Sequence, residues 1–181
     1  MTAEPDTALR ARLEAFVGQP MGASPSVAPD PVNIAMIRHW VDALDDRNPV
    51  YLDEEAAARS RFGTVVAPPA MLQTWTMARP TIQGLAERGG APGPLGPSAL
   101  TMLDQAGYTA TRATNSELEF ERYLRPGDRL HSATVVESIS DEKRTALGAG
   151  YFVTWVTTYT DTEGGVVGRQ RFRVLKFRPA R

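Results

Sequence analysis

The sequence predicts an α+β fold, and three observations carry the prediction. Apolar residues recur at helical spacing through the N-terminal half. The C-terminal third changes to the two-residue alternation of strands. Pro126-Gly127-Asp128 and Glu163-Gly164-Gly165 punctuate that third as hairpin turns. Helices first and an antiparallel sheet last is a plan in which helices cover one face of the sheet.

Each element follows from its residues. Asp6 caps a first helix carrying Leu9, Leu13, Phe16 and Val17 on one stripe. The Gly/Pro/Ser-rich stretch from Gly18 to Pro31 then separates that helix from the rest. Residues 1–31 are therefore expected to be an N-terminal helical appendage, and residues 32–181 the main domain. Asn33 caps a second helix with Ile34, Ile37, Val41 and Leu44 on its inner face. His39 falls nearly opposite that stripe. After the turn Asp46–Asp53, Asp53 caps a short Ala-rich helix over 54–60.

Phe62 to Pro69 reads as a turn and short strand running into a helix, with proline tolerated at the first helical position. Met71, Leu72, Trp75 and Ala78 face one way on this helix, and Pro80 ends or kinks it. Seven of the twelve residues 87–98 are Gly or Pro, so this stretch is a loop. Strands are expected near 110–124, 129–140, 149–161 and 166–177. The third of these, Tyr151 to Tyr159, is apolar or β-branched on both faces, as in a central strand covered on both sides, by a helix and by a second subunit.

Bulk properties exclude several function classes. At 181 residues with 42% hydrophobic and 23% charged content, the chain suits one globular domain. Net charge is −1, which gives no field for nucleic acid or a membrane surface. No apolar run approaches the ~20 residues of a membrane helix. There is no cysteine, so disulfides, thiol catalysis and thiolate metal sites are excluded, and a cytoplasmic location fits. The only histidines, His39 and His131, do not make a multi-histidine metal site, and no metal is expected.

The stretch Asp46-Arg47-Asn48-Pro49-Val50-Tyr51-Leu52-Asp53 carries the functional signal. It resembles the Asp-x-Asn-Pro-x-His-x-Asp turn of MaoC-like enoyl-CoA hydratases and dehydratases, with Tyr51 at the histidine position. Two further segments match by order and spacing. They are Phe62-Gly63 to Ala67-Pro68-Pro69, and the run from Leu124-Arg125-Pro126-Gly127-Asp128 to Gly168-Arg169-Gln170-Arg171. Together they make the chain similar to hotdog-fold dehydratase domains related to fungal type-I fatty-acid synthase. The resemblance implies a single hotdog, an antiparallel sheet wrapped on a core helix, that pairs with a second hotdog. It also implies reversible hydration of a trans-2-enoyl thioester, with CoA carried by the substrate and no cofactor. In active members the Asp and His of the turn activate the water. A backbone N–H at the start of the core helix polarises the thioester carbonyl.

Two departures bear on the chemistry. A phenol of pKa ~10 lies some 3.5 units above histidine, so using Tyr51 as a base near pH 7 costs roughly 5 kcal/mol more in deprotonation. That removes most of the ~10²–10⁴-fold that a general base supplies. Pro69 stands where other members carry glycine and offers no N–H. The N–H groups of Ala70 or Met71 are the expected substitutes. The degenerate motif Asp46, Asn48 and Tyr51 is thus expected to catalyse nothing by itself. Asp46 also reads simply as a turn residue, and Tyr51 as a core aromatic or a wall of the acyl pocket.

The substrate-binding candidates are Tyr51, Ala70, Met71, Trp75, Arg169 and Arg171. The two arginines are candidates for CoA phosphates, or else for cross-strand pairing with Glu117, Glu119 and Glu121. The chain has room for one hotdog, so the expected partner is a separate MaoC-like subunit with an intact Asp/His motif. The C-terminal end resembles the non-catalytic subunit of two-subunit hydratases of actinobacterial cholesterol side-chain degradation. In that subunit another acyl-CoA-associated domain often follows, so the natural chain is expected to continue past Arg181. A core helix broken near Ala78–Pro80 would leave room for a bulky, polycyclic acyl group. Two alternatives are a self-sufficient hydratase using Asp46 and Tyr51, and a non-catalytic module that holds acyl-CoA or docks a thiolase.

Overall fold

The computed structural model describes residues 7–22, 25–77, 82–84 and 96–179. Asp6, the Pro80 break and most of the Gly/Pro loop lie outside them. The described elements are α1 (Thr7–Glu14), β1 (Ser26–Val27), α2 (Ile34–Ala43), α3 (Pro49–Leu52), α4 (Glu54–Arg59), a 3₁₀ helix (Pro69–Thr76), α5 (Ala99–Gln105), β2 (Ala110–Phe120), β3 (His131–Ile139), β4 (Lys143–Thr145), β5 (Gly148–Thr160) and β6 (Val166–Pro179).

The sheet is antiparallel in the order β1-β3-β5-β6-β2, with β4 paired to β5. All four long strands fall where alternation places them, and β5 is central, as its two-sided apolar pattern predicts. The loop expected over 18–31 adds an edge strand: Ser26 and Val27 pair with Ser132 and His131. The appendage is anchored rather than free. Leu9 and Leu13 are buried, and the N–H groups of Gly18 and Met21 donate to Val136 and Thr134 carbonyls at 2.8 and 2.9 Å.

Alternation divides the sheet into two faces. On the inner face, Tyr159 is opposite Gly168, Thr157 opposite Gln170, Trp155 opposite Phe172, Val153 opposite Val174 and Tyr151 opposite Lys176. Two apolar clusters cover this face. One joins α2, the 46–53 turn and the 3₁₀ helix through Ile37, Val41, Tyr51, Met71, Leu72 and Trp75 to Tyr159 and Val167. The other joins α1 and α5 through Leu9, Leu13 and Leu103 to Tyr151, Val153 and Val174. Between them the register places Thr157 and Gln170, both buried. Thr157 shares a hydrogen bond with Thr134, and Gln170 joins Tyr159, Gln73 and Ser116.

The helix after Pro68 departs from expectation in type. It is 3₁₀, with Met71 N–H donating to Pro68 O at 3.0 Å and Met77 N–H to Thr74 O at 3.4 Å. Two consecutive prolines remove two donors at its start, which favours the tighter i→i+3 turn. It ends at Thr76, so the core helix is short. No strand forms over 64–67; this segment is tied by single bonds, Val66 N–H to Val50 O at 3.4 Å and Ala67 N–H to Leu124 O at 2.8 Å. α5 was not expected. Its signal is Ser98, which with Thr101 forms a capping box, ahead of Ala99 and Leu103 one turn apart.

Candidate functional site

The turn 46–53 is built from side chains that hydrogen-bond their own backbone. Asp46 Oδ1 accepts from Asn48 N–H at 3.0 Å, and Asn48 Oδ1 from Val50 N–H at 3.3 Å. Asp53 Oδ1 accepts from Glu55 and Ala56 N–H groups at 2.9 and 3.0 Å, which caps α4. These are the local bonds that Asp and Asn favour at turns and helix starts. Asp46 therefore serves as the turn residue it also resembled.

Tyr51 is buried at 8% exposure in the first apolar cluster. Burial raises its phenol above the ordinary tyrosine value, and Tyr123 and Asp46 nearby push the same way, against a hydrogen bond with Asn48. The neutral phenol is the form the site holds. His39 is exposed on the outer side of α2, and His131 lies on β3 at the β1 edge. Among the described residues no group of three or more His, Cys, Asp or Glu side chains is placed to hold a metal.

The start of the 3₁₀ helix differs from the turn. Met71 does not have the free N–H expected of it: Pro68 O already accepts it, and its side chain is fully buried. Ala70 remains. It is exposed, and its N–H meets no acceptor among the described residues. Five residues on, Trp75 is buried, and among the described residues its indole N–H has no hydrogen-bond partner. An unmet buried donor costs about 1–3 kcal/mol, which an oxygen acceptor brought to it would offset.

Arg169 and Arg171 alternate with Gln170, which meets Gln73 of the 3₁₀ helix, and so lie on the opposite, outer sheet face. Arg169 pairs with Glu121 at 3.1 Å, and Arg171 with Glu137 at 2.7 Å and Glu117 at 3.9 Å. Their charges are met by the cross-strand carboxylates. A second basic feature went unread in the sequence. Arg61, Phe62, Arg122, Tyr123 and Arg125 line a cleft of about 540 Å³ beside the turn. The repeated neighbours Arg61-Phe62 and Arg122-Tyr123 were the available signal, but nothing local shows that they meet.

The geometry has a counterpart among known proteins. A family model described as FAS1-like, dehydratase domain region, matches residues 15–170. A probable enoyl-CoA hydratase alpha subunit of Thermomonospora curvata is 50% identical over 170 residues, which cover 93% of this chain and 51% of that protein. The 3-oxo-4,17-pregnadiene-20-carboxyl-CoA hydratase alpha subunit of Mycobacterium tuberculosis is 39% identical over 175 residues, covering 93% and 53%. The chain thus spans about half the length of these curated relatives. In the ChsH1-ChsH2 complex from Mycobacterium tuberculosis, one chain superposes with a TM-score of 0.80 at 32% identity, over 97% of this chain and 94% of that one. A MaoC-like dehydratase superposes with a TM-score of 0.64 at 26% identity, over 91% of this chain and 43% of that one.

Proposed function

Because the chain belongs to the FAS1-like dehydratase-domain family and has the MaoC-like hotdog fold, we propose that it is the non-catalytic, acyl-binding subunit of a heteromeric enoyl-CoA hydratase. The observation that carries this reading is the self-capped turn. Asp46 and Asn48 are engaged with backbone N–H groups, and the histidine position holds a buried neutral phenol. A separate MaoC-like subunit with an intact Asp/His pair supplies the base that activates water. This chain contributes the Ala70 N–H toward the thioester carbonyl, and the walls around Tyr51 and Trp75 toward the acyl group. Addition of water across the double bond needs no cofactor beyond the CoA thioester itself, and the complex acts in the cytoplasm.

A bulky, steroid-like acyl group is the proposed substrate. The core helix ends at Thr76, and a short helix fills less of the sheet's inner face. A relative at 39% identity is named for a pregnadiene carboxyl-CoA. The test is reconstitution with a MaoC-like subunit that carries the intact motif. Hydration of a steroid enoyl-CoA and of a linear enoyl-CoA is measured for each subunit and for the pair. The pair should hydrate the steroid thioester while this chain alone hydrates nothing. A pair active only on linear thioesters would remove the bulky-acyl assignment.

A further inference from the structure

The cleft beside the turn, between α4 and the connection from β2 to β3, holds three guanidiniums against one lining carboxylate. Arg122 Nη1 donates to Asp128 at 2.7 Å and Nη2 to Asp161 at 3.2 Å, while Asp128 also accepts the Arg125 backbone N–H at 2.9 Å. The carboxylates are therefore committed to holding the loop. Arg61 and Arg125 are left without an acidic partner among the described residues. The Arg125 guanidinium makes one bond, to Phe62 O at 3.3 Å. Arg61 has its Cζ 4.8 Å from the Phe62 ring centre and 5.9 Å from that of Tyr123. The two rings are 4.5 Å apart. A guanidinium held over rings keeps its N–H edge free for anions.

This combination contrasts with the outer sheet face. There Arg169 and Arg171 are neutralised in place by glutamates. A paired arginine must lose its partner before it can hold a phosphate, and Arg61 and Arg125 need not. Two uncommitted guanidiniums next to two aromatic faces fit a phosphorylated nucleoside: phosphates take forked N–H donors, and a base takes ring stacking. The cleft volume lies within the ~300–1,000 Å³ range of small-molecule sites.

We propose that this cleft seats the nucleotide end of coenzyme A, with Arg61 and Arg125 on its phosphates and the Phe62–Tyr123 pair against the adenine. The assignment rests on the acyl-CoA reading above and adds a position to it. Val66 lines the cleft, and its N–H donates to Val50 beside Tyr51. Ala70 follows a few residues on. A CoA anchored here therefore leads its thioester from the cleft toward the turn and the Ala70 N–H, and the outer-face arginines are not needed.

The test is calorimetric titration of the chain with CoA, adenosine 3′,5′-bisphosphate and pantetheine. Both arginines are exposed, so Arg61→Gln combined with Arg125→Gln should fold, which a melting curve checks. The double variant should bind CoA and the bisphosphate about a hundredfold more weakly, roughly tenfold per charge-assisted contact. Pantetheine, which has no phosphate, should bind the native and variant chains alike. Arg61→Lys keeps the charge without the planar stack and should recover only part of the affinity. Arg144→Gln, on exposed β4, should change nothing. Unchanged CoA affinity in the double variant would overturn the proposal. Tight bisphosphate binding without CoA binding would overturn the CoA assignment in favour of a free nucleotide. Hydration by the reconstituted pair separates this proposal from the functional reading. An unaltered KM in the double variant sinks the cleft alone, whereas CoA binding lost on substitution in a pair that hydrates no enoyl-CoA sinks the hydratase reading alone.

Discussion

The turn at 46–53 and the 3₁₀ helix at 69–76 use their polar groups in opposite ways. In the turn, Asp46 and Asn48 accept backbone N–H groups two residues on, and Asp53 accepts those that open α4. In the helix, the Ala70 N–H and the Trp75 indole N–H have no acceptor among the described residues. Side-chain oxygens bound to nearby backbone N–H groups stabilise a turn. A segment with unmet donors carries a cost in the free chain that a ligand can offset. On the proposed reading, the turn serves the architecture and the helix start serves binding.

The largest test of that contrast concerns the seat of the helix. Met71 is fully buried, so Met71→Ala should lower unfolding free energy by about 2–5 kcal/mol in a denaturant titration. Gly168→Ala tests the same seat from the sheet side. An added Cβ would lie 2.6 Å from Glu119 O and 2.7 Å from Leu72 Cδ2. The loss should be about 1–3 kcal/mol, the usual range for an overfilled core.

Substitution of Trp75 sharpens the contrast, because stability and binding should separate. Trp75→Phe removes the unmet donor along with some packing, so the free chain should change by less than ~1 kcal/mol. Affinity for an acyl group bearing an oxygen should fall roughly tenfold, the loss of one hydrogen bond. Equal losses for oxygenated and plain acyl-CoAs would show that Trp75 acts by shape alone. In the turn the pattern reverses: Asp53→Ala should cost about 1 kcal/mol of stability through the lost cap of α4, and should leave acyl-CoA affinity unchanged.

The last effect is confined to the alkaline range and vanishes near neutral pH. Burial holds the Tyr159 phenol up to about 12 and raises that of Tyr51. Unfolded tyrosine ionises near ~10. The fold therefore keeps protons that the unfolded chain loses above that pH. The stability from keeping these phenols neutral is whole below pH ~10 and is lost as pH rises toward the folded values. An ultraviolet difference titration should find both phenols neutral throughout the neutral range, and ionisation of Tyr51 near neutrality would contradict its assignment as a buried wall.

Local patterns made most of this architecture legible. Asn33 and Asp53 announce their helices because a cap bonds within three residues. The four long strands follow from alternation, and the inner face from the same parity. The 3₁₀ form was not legible, because a Pro-Pro start reads equally well as an α-helical one. The unmet state of Trp75 and the meeting of Arg61 with Tyr123 were also hidden. Both depend on residues far apart in the chain, and only tertiary packing sets them. The sequence also left two roles open for Arg169 and Arg171, since identical residues serve an ion-pair ladder or a phosphate site. The strand register placed carboxylates beside them.

In the proposed complex this chain shapes the site and its partner brings the base. The most direct measurement is the hydration rate of the reconstituted pair in which this chain carries Asp46→Asn and Tyr51→Phe together. Both changes preserve shape, and asparagine can still accept the Asn48 N–H. A kcat within about twofold of the native pair is expected, well short of the ~10²–10⁴-fold that a general base supplies. A fall of that full size would place the catalytic base in this chain and overturn that division of roles.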